Sequence, residues 1–363
     1  MHRQPWHDAA EALLLPVLAL IGALLMFGLW VWLGGHDPVQ ACTLLFTGAF
    51  GDAFSWQNTL QRSAPLMLTA LCVALPARAG LTIIGGEGAL VLGGLACAGL
   101  PYAVHLPGNS LGTAALLLAA AIAGGAWIAL AGALRQYRGV NETISSLLLG
   151  YIAIALFKHL VEGPMRDPAS LNKPSTLPLS EPLRIGSIGA WDLLGDVHWG
   201  LAFGLALCLA GSVWLGRSTH GFATRVVGGN ARAARLVGLP AHRLIITACA
   251  LGGAAAGLAG GIEVAAVHTA ANASLIAGLG YAGILGSFVA RHNPLAVIPV
   301  AILFGGFGAA GSLLQRRMGL PDASVQVLLG FAFVLILAGE ALRGRLLPFP
   351  ILAMRPLLRA KPA

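Results

Sequence analysis

Two residue patterns in this chain could do chemistry. The first is a basic stretch, Thr219–Arg243, with Arg217, Arg225, Arg232, Arg235 and Arg243 in and beside it and no acid. Its centre, GGNARAARLVGLP, predicts a short helix. Asn230 can cap the start, because its side-chain oxygen accepts a free N–H of the first turn. Gly238 can end it in the left-handed conformation, and Pro240 follows. Ala233, Leu236 and Val237 then share one face, with Arg232 and Arg235 on another. That pattern suits docking: an apolar face for a groove, flanked by cations for acidic partners. The second pattern is acid within apolar sequence. Glu87 sits in LTIIGGEGALVLGG, where charge costs about 2.5–3.5 kcal/mol on insertion scales. Gly86, Gly88 and their neighbours favour a broken helix, tolerated at membrane depth only where backbone is buried or lines a cavity. Glu87 could accept hydrogen bonds from a polar solute, neutralise a half-helix N-terminus, or be satisfied by nearby backbone.

Other polar groups are fewer. Asn141 and Glu142 open an apolar run as VNETISSLLLGYIA, which suits a helix cap followed by a first-turn acid. The stripe Thr143, Ser146, Gly150 could face a pathway. Glu263 and His268 end another run near its outer surface. Catalytic constellations are absent. The three lysines, Lys158, Lys173 and Lys361, stand outside any glycine loop, so the chain has no P-loop for ATP. No HExxH or GxSxG occurs, which leaves a membrane enzyme on a lipid-linked substrate unsupported. Cys42, Cys72, Cys97, Cys208 and Cys249 form no metal or CxxC spacing. No catalytic residue, metal site or cofactor is expected on this chain.

The elements that must position these groups are membrane spans. Hydrophobic residues make up 57% and charged residues 10%, against about 25% charge in soluble domains, and the mean hydropathy is +0.80. Apolar runs of span length fall near 12–33, 59–77, 82–100, 111–134, 142–161, 199–216, 244–267, 274–290, 294–313 and 323–342. The expected fold is therefore all-α, polytopic, with about ten transmembrane helices, the glycine-rich eighth being a candidate re-entrant segment. The first run is too long for a cleavable signal core and reads as a retained span. Paired glycines such as Gly93–Gly94, Gly252–Gly253 and Gly260–Gly261 suit close helix packing.

With the N-terminus inside, fifteen of the 22 Lys and Arg fall on the cytoplasmic side. The pI near 9.8 thus reports topology, not a nucleic-acid partner. The first outer loop, 36–58, carries no Lys or Arg; Arg316 and Arg317 go against the bias. A Pro-rich outer loop, 162–198, separates a first half, 12–161, from a second, 199–342, before a basic tail, 343–363. Two similarly organised halves in one transmembrane domain are expected, as in transporters with internal repeats. GGEG (85–88) and AGGIE (259–263) are a faint echo between them.

These motifs resemble ABC-transporter permeases of the branched-chain amino acid, ribose and simple-sugar superfamily, closest to nucleoside and simple-sugar permeases, over roughly 10–345. IIGGEGALVLGG (83–94), NETISSLLLGYIA (141–153), GPMRDP (163–168), LGGAAAGLAGGIEV (251–264) and GYAGILGSFVARHNP (280–294) carry the likeness. TRVVGGNARAARLVGL (224–239) is similar to the cytoplasmic signature built on Gly-x-Asn-Pro-x-Ala-Ala. Ala231 stands where Pro is usual, and Gly150 where the family has a second Asn. The resemblance implies a permease subunit of an importer for a nucleoside or simple sugar, in the bacterial cytoplasmic membrane. It implies a second permease subunit, identical or related, an outer solute-binding protein, and ATPase subunits that hold ATP and Mg. The coupling residues would be Gly229, Asn230, Arg232, Ala233, Ala234, Arg235, Leu236 and Gly238. The pathway candidates are Glu87, Gly86, Gly88, Asn141, Glu142 and Glu263. Branched-chain amino acids are the rival substrate, disfavoured because the spans offer few basic residues to anchor a carboxylate. An ion-coupled transporter using Glu87 or Glu263 is the rival mechanism.

Overall fold

Asparagine and aspartate punctuate this chain, and six of the helices described begin at one of them. In a computed structural model, which describes residues 5–189 and 195–342, the chain is helical over most of its apolar runs. The basic tail 343–363 lies outside the described residues. The helices are α1 (Pro5–Leu33), α2 (Pro38–Phe50), α3 (Ala53–Arg78), α4 (Gly86–Ala103), α5 (Ser110–Arg138), α6 (Glu142–Glu162), α7 (Gly200–Arg217), α8 (Thr219–Gly229), α9 (Ala231–Leu236), α10 (Ala241–Ile262), α11 (Leu279–Val289), α12 (Pro294–Met318) and α13 (Ser324–Leu342). Asp37, Asp52, Asn109, Asn141, Asn230 and Asn293 each accept N–H groups at the helix start that follows them. Gly139 (φ 69°) and Gly319 (φ 70°) end α5 and α12 in the left-handed conformation.

Seven helices are long and apolar enough to cross a membrane: α1, α3, α5, α6, α7, α10 with its continuation to His268, and α12. Three further predicted spans fall on α4, α11 and α13. The chain is thus an all-α polytopic membrane protein. Two boundaries differ from the sequence reading. The run at 82–100 begins as a non-helical segment, residues 81–84, before α4 starts at Gly86. The run at 274–290 forms only the 11 residues of α11, about 16 Å long, roughly half the hydrocarbon thickness. One expectation is corrected outright. The first outer loop, 36–58, is not a loop: Asp37 and Pro38 start the 13-residue α2, which packs against α12 and α1. Gly48 faces Ala310 and Gly306 faces Phe50 across that contact.

The core is built on α3 and α10, which run antiparallel. Gly252 of α10 sits against Cys72 of α3, and Leu81 beside Leu244. Around each, the neighbours correspond: α3 packs on α11 and α12 as α10 packs on α4 and α5. Glycine permits the closest approaches. Gly93 and Gly94 of α4 meet Gly257 and Gly260 of α10, and Gly283 of α11 meets Thr69 of α3. Beyond α10 the helix widens into a π-turn, Glu263–His268. The outer segment then docks there through backbone bonds: Ile185 N–H to the Ala265 carbonyl (3.0 Å), Leu179 to Thr269 (2.7 Å) and Thr176 to Ala271 (3.0 Å). The loop caps the end of α10.

Candidate functional site

The basic stretch forms a helical turn at the membrane edge. Asn230 accepts N–H bonds from Arg232 (3.0 Å) and Ala233 (3.0 Å), so the first turn of α9 closes on its cap. Gly238 adopts φ +84° just after it. Ala234 is fully buried in a small separate core with Ala79, Leu81, Ala223, Val227, Ala241, Leu244, Ile245 and Ala248. That contact fixes α9 to the α3–α4 turn and to the start of α10. The opposite side faces outward: Leu236 is 85% and Val237 74% exposed, and Arg232, Ala233 and Arg235 are exposed beside them. The apolar surface is presented, not used, within this chain. Gly229 precedes the cap in open space.

Glu87 lies at the meeting of two helix beginnings. It sits in the first turn of α4 and is 1% exposed. Its Oε1 accepts the N–H of Gly278 (2.8 Å) and its Oε2 that of Gly280 (2.6 Å), both at the start of α11. Gly278 has no side chain with which to cap α11 (φ +80°), so the cap comes from another helix. Like poles of two helix dipoles meet here, and a carboxylate between them offsets the repulsion. Gly86 and Gly280 touch backbone to backbone, and Gly88 packs on Gly150 of α6.

The other candidates are separated from this junction. Asn141 caps α6, accepting from Thr143 (2.9 Å) and Ile144 (3.2 Å), and Glu142 pairs with Arg135 of α5 at 3.3 Å. Thr143 donates to the Thr82 carbonyl (3.0 Å), and Ser146 accepts from the Ile84 N–H (3.1 Å). Thr143 and Ser146, of the stripe that could have faced a pathway, instead hold the non-helical segment before α4. Glu263, at the outer end, lies 3.5 Å from His268. Among the described residues, no His, Cys, Asp and Glu group could hold a metal.

Sequence reasoning missed three residues. Arg78 reads as one more cytoplasmic charge, yet its Nε donates to the His292 carbonyl (2.9 Å) and its Nη2 to that of Arg291 (3.3 Å). Tyr151 and Tyr281 follow Gly150 and Gly280 directly, so both stand at the depth of Glu87. They are 56% and 41% exposed, with no hydrogen-bond partner for either hydroxyl among the described residues. The available signal was position: Tyr151 sits at the middle of a spanning helix, away from the interfaces where tyrosine collects.

Residues 55–337 match the family described as branched-chain amino acid transport system / permease component. The chain is 32% identical over 332 residues to the glucose ABC transporter permease protein of Haloferax volcanii, covering 90% of this chain and 87% of that one. It is 28% identical to the guanosine ABC transporter permease protein NupP of Bacillus subtilis, covering 91% and 94%. A nucleoside ABC transporter permease protein of Lactococcus lactis is 24% identical, covering 88% and 89%. These matches place the chain: it belongs to this family of ABC-transporter permeases, as a multi-pass transport subunit.

Proposed function

We propose that this chain imports a nucleoside or a simple sugar across the bacterial cytoplasmic membrane, driven by ATP hydrolysed on separate subunits. The observation that carries this reading is α9. It is a capped helix held by Ala234, with Leu236 and Val237 turned outward and Arg232 and Arg235 alongside. A surface of that kind receives force from a partner. Leu236 and Val237 enter a groove on an ATPase subunit, and the arginines meet acids at its rim. A second permease subunit covers the face bearing Tyr151 and Tyr281, whose hydroxyls have no partner in lipid. Between the subunits the two rings offer flat apolar surface and hydrogen-bonding edges to a base or a sugar. An outer solute-binding protein delivers the solute to the loop docked on α10. The relatives named for glucose, guanosine and nucleosides support this class.

The test is co-purification with candidate ATPase subunits, wild type against Arg232→Glu/Arg235→Glu, followed by uptake of radiolabelled guanosine and glucose. Association with wild type, loss in the double variant, and ATP-dependent uptake of one solute support the proposal. Uptake driven by a proton gradient without any ATPase overturns it and directs attention to the Glu263–His268 pair.

A further inference from the structure

Between α9 and the Glu87 junction the structure holds a continuous mechanical connection, and Arg78 is its side-chain link to the far end of α11. We infer that the Arg78 guanidinium transmits movement of α9 to the intramembrane start of α11. It acts as a positioning residue for transport, and the inference rests on α9 being the ATPase docking helix proposed above.

The connection begins at the cytoplasmic end. Ala234 of α9 is buried with Ala79 and Leu81, so α9 cannot shift without displacing the α3–α4 turn. Gly228, two residues before the α9 cap, lies directly on that turn. A Cβ there would collide with the Arg78 carbonyl and come 3.1 Å from the Ala79 carbonyl carbon. Gly80, at φ +81°, receives Gly228 from the other side. No slack separates the docking helix from residues 78–81.

From this turn two limbs lead inward. One is backbone: the non-helical residues 81–84 lead into α4, held by the Ser146 hydroxyl and Thr143, and reach Glu87 within the first helical turn. The other is the Arg78 side chain, which grips the carbonyls of Arg291 and His292 at the far end of α11. Those two residues take φ 53° and 55°, a left-handed conformation that residues with a Cβ adopt only when held. Three contacts hold them. Arg78 binds their carbonyls, Ser287 Oγ lies 2.8 Å from His292 Nδ1, and Arg291 pairs with Glu340 of α13 at 3.5 Å. α11 is short and rigid, so a push on its cytoplasmic end arrives at Gly278 and Gly280. Both limbs therefore end on the two sides of one hydrogen-bonded contact, Glu87 with Gly278 and Gly280. When α9 moves, the limbs move together if Arg78 is in place. Without it, α11 is driven only through its packing on α3, where Gly283 meets Thr69 and Thr69 Oγ1 donates to the Leu279 carbonyl (3.1 Å).

The experiment compares wild type, Arg78→Lys and Arg78→Gln, each purified in complex with the ATPase subunits and reconstituted with the solute-binding protein. Guanosine or glucose uptake is divided by ATP hydrolysed. Lysine keeps the charge but, as a point donor, cannot span both carbonyls; glutamine lacks the reach and charge. The expected result is intact assembly and hydrolysis with uptake per ATP reduced about fivefold by lysine and about twentyfold by glutamine, within the usual span of coupling between linked sites. A merely structural Arg78 lowers the yield of complex and leaves uptake per ATP at the wild-type value, which overturns the inference. If the glutamine variant does not assemble, lysine decides: a wild-type ratio overturns the inference equally. Failure of the wild-type chain to bind any ATPase is a different result, and it sinks the proposed function first.

Discussion

Replacing Glu87 separates a structural carboxylate from one that handles solute. In Glu87→Gln the side-chain carbonyl can still accept one of the two backbone N–H groups, of Gly278 or Gly280. The amide NH2 then faces the other N–H, donor against donor. One charge-assisted bond, about 1.5–3 kcal/mol, is lost, and one buried N–H is left unpaired at about 1–3 kcal/mol. Glutamine is isosteric, so no cavity is added and the two penalties overlap. We expect about 2–4 kcal/mol of destabilisation; alanine, which orphans both donors, costs about 3–6 kcal/mol by the same reckoning. At this chain length roughly 2 °C is lost per kcal/mol, so the glutamine variant should melt on the order of 5 °C below wild type. The assay is thermal unfolding of the purified permease in detergent, alongside guanosine and glucose uptake. If Glu87→Gln melts within about 1 °C of wild type while uptake is abolished, the cap is not what the carboxylate does. Glu87 would then be acting on solute or on a proton, and the junction described above would be wrong.

Four further outcomes are expected. Leu236→Asp should leave the melting temperature unchanged, since Leu236 is 85% exposed; losing its burial against an ATPase, about 1.5–3 kcal/mol, should weaken co-purification roughly ten- to hundredfold. Gly252→Leu should destabilise by about 1–3 kcal/mol through overpacking, because its Cβ would stand 2.8 Å from the Cys72 carbonyl, whereas Gly216→Ala, with open space around it, should be neutral in the same melt. Burial, with the Arg78 charge adding to it, pushes the His292 imidazole down to about 4 from an ordinary 6.5. The folded state therefore binds fewer protons there than the unfolded chain, and stability should fall as pH drops from about 6.5 towards 4, by at most about 3 kcal/mol; His292→Asn should flatten that part of a melting-temperature profile. Tyr281→Ala should reduce uptake of guanosine or glucose without lowering the melting temperature, because its ring is 41% exposed; a melt lowered in step with uptake would mark it as packing instead.

The sequence carried the spanning helices and their starts because both depend on local chemistry. Asn141 and Asn230 announce helices by type alone, and the apolar runs announce spans by length. α2 escaped notice because its 13 residues are too short to span and carry no charge to place them; only packing on α12 reveals its use. The exposed faces of α9 were legible for the same local reason, since Ala233 to Val237 obey a helical period. Arg78 was not, because its partners are backbone carbonyls 213 and 214 residues further on, and no side-chain pattern marks a carbonyl as an acceptor. Glu87 falls between. Its surroundings, GGEG, marked a broken helix, but the helix it caps is α11, and that helix has no capping residue of its own to signal the need.

That missing cap bears on how such a chain can move. A helix capped by its own preceding residue is complete in itself and indifferent to its neighbours. α11 is complete only while Glu87 of α4 is within bonding distance, and α4 is likewise relieved of a facing positive pole only by that contact. The contact is buried, with Glu87 1% exposed, and an unpaired N–H there finds no water. Separating them thus carries a cost that water entering a pathway would lower, since hydrated donors no longer need the carboxylate. An opening that admits water beside Tyr151 and Tyr281 would therefore loosen the Glu87 contact as it forms, while a dry, closed pathway would tighten it. The same pair of hydrogen bonds can then favour two states, shut and dry or open and wet, over any intermediate between them.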